Sequence, residues 1–104
     1  MILKNGKIGE SYCMGGDVQL KNIDLVIKIC DLIDKSYLNL PIRTNRNLIE
    51  FVTDRQGHDF RYAIDNSKIK SDLGWKPIIN INQGLAKTVD WYLSNENWLL
   101  SLKN

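Results

Sequence analysis

The sequence predicts a single α/β domain of about three helices with a few short strands. A chain of 104 residues sustains one modest core and is too short for a complete dinucleotide-binding sheet together with a second domain. Hydrophobic residues make up 43% and charged residues 25%, values typical of a soluble globular domain rather than of a disordered chain. No repeat, low-complexity tract or linker divides the sequence, so we expect one domain over residues 1–104.

The first half predicts one short strand and the strongest helix. Ser11–Met14 reads as a strand that stops at a pair of glycines, and Asn22 stands where a helix cap is expected. Ile23–Asp34 follows with helical spacing of its polar residues in one narrow stripe, while the rest of its circumference is apolar. A helix with such an apolar circumference should be buried on most sides. The remaining chain can hardly cover it, so we expect a homo-oligomer formed through its exposed apolar surface.

The second half predicts a strand, a charged loop and two helices. Leu48–Thr53 reads as a strand and residues 54–59 as a loop. A short helix through Leu73 is expected, capped by Asp65 or Asn66 at its start and by Gly74 at its end. The last helix is expected over Gln83–Leu93 with Asn82 as its cap. The apolar segment Trp98–Leu102 then needs a partner surface or a fold-back.

Charge and composition exclude several classes of function. A net charge of +2 is too balanced for a protein built around nucleic-acid phosphates. No apolar run approaches the ~18 residues of a membrane span, and no signal peptide opens the sequence, so the expected location is the cytoplasm. The two cysteines, Cys13 and Cys30, lack zinc spacing and are expected to be reduced, buried thiols, and no metal site is predicted.

The motifs of common reaction centres are missing. The seven glycines form neither a Gly-x-Gly-x-x-Gly turn for a dinucleotide nor a Gly-x-x-x-x-Gly-Lys phosphate loop. None of the four tyrosines has a lysine four positions later. The sequence therefore predicts a binding surface with no catalytic residue and no cofactor-binding residue.

The densest polar stretch predicts an anion-binding loop. Arg55 offers a planar fork that suits a phosphate, His58 offers a ring N–H, and Gly57 allows a close approach of backbone and ligand. Asp54 or Asp59 would hold an arginine in place. Surface ion pairs are the alternative interpretation of this loop. Asn22 likewise either caps its helix or hydrogen-bonds a ligand at the helix N-terminus.

Several segments together resemble the dTDP-glucose 4,6-dehydratases, a group within the extended short-chain dehydrogenase/reductase family. The resemblance spans roughly residues 3–95. Its most specific segments are Asp-Arg-x-Gly-His-Asp at 54–59 and Leu-Gly-Trp-x-Pro at 73–77. Other matching segments are Gly6–Glu10, Tyr12–Gly16, Lys21–Asp24, Ile29–Asp34, Arg61–Asp65 and Trp91–Leu93. The sequence departs from the family at Phe60, where a basic residue is common, and at Cys13, where an asparagine is common.

The resemblance implies a nucleotide-sugar-binding C-terminal part without a complete Rossmann sheet. Family members convert dTDP-glucose to dTDP-4-keto-6-deoxyglucose, on the route to dTDP-rhamnose, with NAD and a Tyr-x-x-x-Lys pair held in an N-terminal Rossmann half. By resemblance, Arg55 and His58 would contact the diphosphate and ribose of a dTDP-sugar. Asp54, Gln56 and Gly57 would shape the loop, and Asn22 would reach the nucleotide from its helix.

We predict from this that the 104-residue chain alone does not catalyse the dehydration. An N-terminal Rossmann half is the partner that the resemblance implies, and no NAD site is expected in this chain. Two alternatives stay open from the sequence. One is a helical interaction module that binds a protein and no small ligand, and the other is a fragment of a UDP-sugar epimerase or decarboxylase.

Overall fold

A computed structural model of the chain describes residues 1–36, 44–58 and 62–103, and these residues are predominantly helical. The helices are α1 (Ile2–Asn5), α2 (Asn22–Ser36), a 3-10 helix (Asn45–Leu48), α3 (Ser67–Leu73), α4 (Ile81–Ser94) and α5 (Glu96–Ser101). The chain divides into two compact units, each made of two stretches. The first unit combines Met1–Gln19 with Arg55–Ile81, and the second combines Leu20–Asp54 with Asn82–Asn104. The prediction of one domain over residues 1–104 stays a prediction.

The helices predicted around Ile23–Asp34 and Gln83–Leu93 are present, but both begin earlier than expected. The Lys21 carbonyl accepts the Leu25 N–H at 3.1 Å, so the helical ladder starts there and Asn22 is the first helical residue, not the cap. Asn82 likewise lies inside α4, which begins at Ile81. Its side-chain oxygen accepts a hydrogen bond from Lys28 Nζ at 3.2 Å, which joins α4 to α2 within the second unit.

Both ends of the short helix α3 are confirmed. Asn66 occupies the N-cap position, and the Asp65 carboxylate accepts the Ser67 N–H at 2.9 Å. Gly74 ends the helix with φ 65° and donates its N–H to the Lys70 carbonyl at 2.9 Å. Glycine adopts this left-handed backbone without the steric cost that a Cβ imposes, which is why the helix stops there.

The structure does not confirm the predicted short strands. Ser11–Met14 is neither strand nor helix, and Leu48 ends the 3-10 helix while the residues from Ile49 to Asp54 are irregular. An apolar, β-branched segment becomes a strand only when another segment pairs with its backbone. Within the described ranges no such pairing forms.

The buried core of the described residues is small. Cys30 and Val89 are buried in the second unit, and Ile69 and Asn66 in the first. Cys30 is a free, buried thiol as predicted, whereas Cys13 is free but exposed, because the segment that carries it does not form the predicted strand. Cys30 is the buried residue of α2, and the other apolar side chains of that helix are half-buried rather than exposed.

The apolar segment near the C-terminus folds back on α4. The sequence predicted either this or a partner surface for the segment. Trp98, in α5, places its ring edge-on to Trp91 with 5.1 Å between the ring centroids, and 6.4 Å from the ring of Tyr92. All three rings stay partly exposed. Over the part of the chain that the structure describes, no helix is long and apolar enough to cross a membrane.

Candidate functional site

The loop that was predicted to bind an anion forms a tight turn. His58 donates its backbone N–H to the carbonyl of Arg55 at 3.3 Å, which closes a four-residue turn. Gly57, the third residue, has φ 70°, a value that side-chain-bearing residues rarely adopt. A Cβ at Gly57 would meet no atom of the described residues within 4 Å, so they leave the space beside the turn open.

The turn carries its two candidate anion-binding side chains at its two ends. Arg55, Gln56 and His58 are all exposed, so a ligand from solvent can reach them. Arg55 and His58 both interact with other groups of the chain. The His58 ring lies edge-on to Tyr62, with 6.4 Å between the centroids and 63° between the planes. An edge-on aromatic contact restricts the imidazole orientation and leaves its ring nitrogens able to hydrogen-bond.

The structure brings four of the six predicted binding residues into this one turn: Arg55, Gln56, Gly57 and His58. Asp54 directly precedes the turn, and Asn22 is the first residue of α2; both are exposed. The turn belongs to the first compact unit, whereas Asp54 and Asn22 belong to the second. Their participation in one site with Arg55 and His58 stays a prediction.

Two lysines of α3 hold residues 10–17, a distant stretch of the first unit, by ion pairs. Lys68 Nζ lies 2.5 Å from a Glu10 carboxylate oxygen, and Lys70 Nζ lies 2.5 Å from an Asp17 oxygen. The hydrogen bond from Lys68 lowers the pKa of Glu10, and the hydrogen bond from Lys70 lowers the pKa of Asp17. These contacts hold the segment that contains Ser11–Met14. The sequence predicted a strand there, but these residues do not form one.

A cavity of about 550 Å³ opens beside the Asp17–Lys70 pair. Its walls are Gly16, Asp17, Lys70 and the segment Gly74–Asn80. Sequence analysis predicted Trp75 and Pro77 only as a packing corner, and both are half-buried. It missed the Asp17–Lys70 pair, because these residues are 53 positions apart and no local spacing connects them.

All four arginines of the sequence lie between residues 43 and 61, and one of them, Arg46, has a structural role in the second unit. Its Nε and Nη2 both contact the Asp31 carboxylate, at 2.6 and 2.5 Å, which ties the 3-10 helix to α2. The same contact lowers the pKa of Asp31 and raises that of Arg46. Asp34 accepts the Asn45 N–H and the Thr44 hydroxyl beside it. Arg43 and Arg61 lie outside the described residues.

Comparisons with known proteins identify the family. The family model described as GDP-mannose 4,6 dehydratase matches residues 2–88. This chain belongs to that family. It is 47% identical over 105 residues to a dTDP-glucose 4,6-dehydratase of Salmonella typhimurium, and 46% identical over 98 residues to one of Xanthomonas campestris. A crystal structure of dTDP-glucose 4,6-dehydratase from Bacillus anthracis in complex with NAD matches with a TM-score of 0.77 and 39% identity over 93% of this chain.

The resemblance that the sequence motifs indicated is therefore confirmed. The chain spans 28% of the length of each of these relatives, and it corresponds to their C-terminal portion. The match to the Salmonella typhimurium protein covers the whole chain, so it includes the turn, α2 and α3. The comparison supports the fold of the chain as a small, mainly helical portion of a dehydratase.

The NAD in the Bacillus anthracis complex raises the question of whether this chain offers a place for it. Binding of a dinucleotide in this fold class needs a strand, a glycine-rich turn and a helix whose N-terminus faces the pyrophosphate. The paired glycines Gly15 and Gly16 follow no strand, and α2 begins six residues after Gly16. The described residues do not fit NAD.

Proposed function

We propose that this chain is the nucleotide-sugar-binding part of a dTDP-glucose 4,6-dehydratase and that its ligand is a dTDP-sugar. The observation that carries the proposal is the Arg55–His58 turn, because it combines two exposed anion-binding side chains with a left-handed glycine beside open space. The similarity to dTDP-glucose 4,6-dehydratases over the whole chain supports the identity of the ligand.

The turn suits a diphosphate for specific chemical reasons. The guanidinium of Arg55 presents parallel N–H donors that match two phosphate oxygens. His58 adds a donor from the other end of the turn. The missing Cβ at Gly57 lets the phosphates approach the backbone. Asp54 orients the arginine, Gln56 contributes to the wall of the loop, and Asn22 reaches the nucleotide from the first turn of α2, where anions are favoured.

In this proposal the chain binds the dTDP-sugar but does not catalyse the dehydration. No tyrosine of the sequence has a lysine four residues later, so the acid–base pair of the family is supplied by the N-terminal Rossmann half. That half is also the proposed holder of NAD. The cytoplasmic location and the homo-oligomer that the sequence predicts remain predictions.

Calorimetric titration of the 104-residue chain with dTDP tests the proposal. Arg55→Ala removes a charge-assisted contact worth about 2–3 kcal/mol, so we expect an affinity loss of about 30- to 150-fold. Lys4→Ala, which removes one positive charge from α1 in the same unit, is the matched control and should change the affinity less than about twofold. Equal dissociation constants for Arg55→Ala and the parent would show that the turn is only surface charge.

Competition between dTDP and UDP distinguishes the proposal from the alternative hypothesis of a fragment of a UDP-sugar epimerase or decarboxylase. We expect dTDP to displace UDP. Preferential binding of UDP would support the epimerase or decarboxylase instead. No heat with either nucleotide, together with an unchanged melting temperature, would support the helical interaction module.

A further inference from the structure

The first helix ends on an asparagine that is followed by a glycine. Asn5 is the last residue of α1 and is exposed, and Gly6 follows it with an extended backbone, φ −70° and ψ 148°. In the whole sequence only this asparagine precedes a glycine. The side-chain amide of an asparagine can react with the backbone nitrogen of the next residue, and a glycine there carries no side chain that obstructs the approach.

The backbone nitrogen of Gly6 is held by a hydrogen bond that opens easily. Its N–H donates to the Ile2 carbonyl at 2.8 Å, in the last turn of α1. A Cβ at Gly6 would lie 2.6 Å from that carbonyl oxygen, so the closed turn has room only for glycine. Within α1, all of which the structure describes, no residue is buried. Opening the turn therefore exposes no core, and local openings of this kind cost little free energy.

We propose that Asn5 is a site of spontaneous deamidation. The Gly6 nitrogen, after losing its proton to a base in solution, forms a bond to the side-chain carbon Cγ of Asn5. The bond from Cγ to Nδ2 then breaks, and the nitrogen leaves as ammonia after taking up a proton from water. Water opens the resulting cyclic imide at Cγ, which gives aspartate, or at the backbone carbonyl carbon, which gives isoaspartate. One water is consumed and one ammonia is released, with no change of oxidation state.

The charges beside Asn5 favour this reaction. Lys4 and Lys7 flank the Asn5–Gly6 pair in sequence, and both are exposed. The attacking nitrogen is anionic, and its addition to Cγ places a negative charge on the amide oxygen. Positive charges nearby lower the energy of both species.

Asn66 provides an internal comparison, because it precedes serine, the other small residue that follows an asparagine in this sequence. Asn66 is 5% exposed, and its Nδ2 donates to the Gly15 carbonyl at 2.9 Å. The backbone N–H that would have to attack belongs to Ser67, and it donates to the Asp65 carboxylate at 2.9 Å. Both reacting groups are therefore held in place, so the fold should protect Asn66 and leave Asn5 reactive.

Isoaspartate at position 5 would change both the charge and the geometry of the first unit. The new carboxylate lies at the C-terminal end of α1, where the helix dipole disfavours negative charge. One extra methylene also enters the backbone just before Lys7, whose N–H donates to the Tyr12 hydroxyl at 3.1 Å. The inference concerns the end of α1 and does not depend on nucleotide binding by the Arg55–His58 turn.

Mass spectrometry of the 104-residue chain, kept in mildly alkaline buffer, tests the proposal. Deamidation replaces NH by O, which gives a small mass gain and a more acidic species on ion exchange. Fragments that carry Asn5 or Asn66 are compared with synthetic peptides of residues 2–8 and 63–69, which give the rates without a fold. Asn5 should react within about tenfold of its peptide, because the turn opens easily, whereas Asn66 should be slowed by more than about tenfold.

Asn5→Gln is the matched control, because it keeps the exposed amide but must close a larger, slower-forming ring. The variant should lose the fast mass gain, and its circular dichroism should match that of the parent. Protection of Asn5 by more than about tenfold relative to its peptide would overturn the inference, since the turn would then stay closed. So would a reaction of Asn66 within the same factor of its own peptide, or a fast mass gain that survives Asn5→Gln.

Discussion

At the scale of single residues, Gly57 sets the geometry of the turn that carries Arg55 and His58, the two side chains proposed to bind an anion. Its φ of 70° costs a residue with a Cβ about 1–2 kcal/mol, although the space beside it is open. Gly57→Ala should therefore change the turn and weaken dTDP binding about tenfold in calorimetry, with the helical content unchanged. Gly57→Asn is the control, because asparagine tolerates the left-handed region. We expect it to recover most of the affinity, and equal losses for both variants would contradict this account.

A second residue-scale test uses two asparagines that both precede a helix without capping it by a side-chain bond. Asn66 is 5% exposed and donates to the Gly15 carbonyl at 2.9 Å, whereas Asn95 donates to the Trp91 carbonyl at 2.8 Å at the surface. Asn66→Ala removes the donor to the half-buried Gly15 carbonyl. It should lower the free energy of unfolding, measured by urea denaturation, by about 1–3 kcal/mol. Asn95→Ala should cost less than about 0.5 kcal/mol, since water replaces the lost donor. A larger loss of unfolding free energy for Asn95→Ala than for Asn66→Ala would contradict this explanation by burial.

At the scale of elements, the ion pairs between α3 and residues 10–17 give the first unit a dependence on pH. The Lys70 hydrogen bond holds the pKa of Asp17 below its ordinary value of 3.8. A carboxylate with a lowered folded-state pKa stabilises the fold above its unfolded pKa and loses that contribution as the pH falls through the folded value. We expect the free energy of unfolding to decrease as the pH falls below about 4.

The variants Asp17→Asn and Lys70→Met should each make that decrease shallower, because the first removes the titrating group and the second removes the cause of its shift. Urea denaturation between pH 7 and pH 3 measures the difference. The two variants should give similar slopes. A parent-like slope in both would assign the acid sensitivity to another pair, such as Glu10 and Lys68.

The helices α2, α3 and α4 were predicted from the sequence, whereas α1, the 3-10 helix and α5 were not, and the predicted short strands are not confirmed. The end of α3 is encoded locally, because a left-handed glycine follows Leu73 and closes the last turn. The starts of α2 and α4 were each placed too late, because an asparagine is favourable both as a cap and in the first helical turn. The strand-like segments Ser11–Met14 and Leu48–Thr53 have the composition of strands, but pairing depends on a partner segment that local sequence does not specify.

The candidate site likewise has features that the sequence could predict and features that it could not. The Arg55–His58 turn depends on four consecutive residues, so its sequence was sufficient to predict it. The pairing of Asp17 with Lys70 depends on the tertiary fold, and spacing gave no signal for it. Arg46 shows why clustering alone does not assign a role, because it lies with Arg55 in the stretch 43–61 that holds all four arginines of the sequence, yet it contacts Asp31. A charge cluster identifies candidates, and only the fold separates the structural members from the binding members.

At the scale of the whole molecule, the missing Tyr-x-x-x-Lys pair leads to one prediction about activity. The 104-residue chain, incubated with NAD and dTDP-glucose, should release no keto sugar, because none of its four tyrosines is followed by a lysine at the fourth position. Coexpression with the unmatched part of the Salmonella typhimurium relative should restore turnover if the two parts assemble. The control is the same complex carrying Arg55→Ala, which should assemble normally but require more substrate. Turnover by the isolated chain would contradict the division of labour proposed for the two parts, since the acid–base groups would then have to lie within these residues.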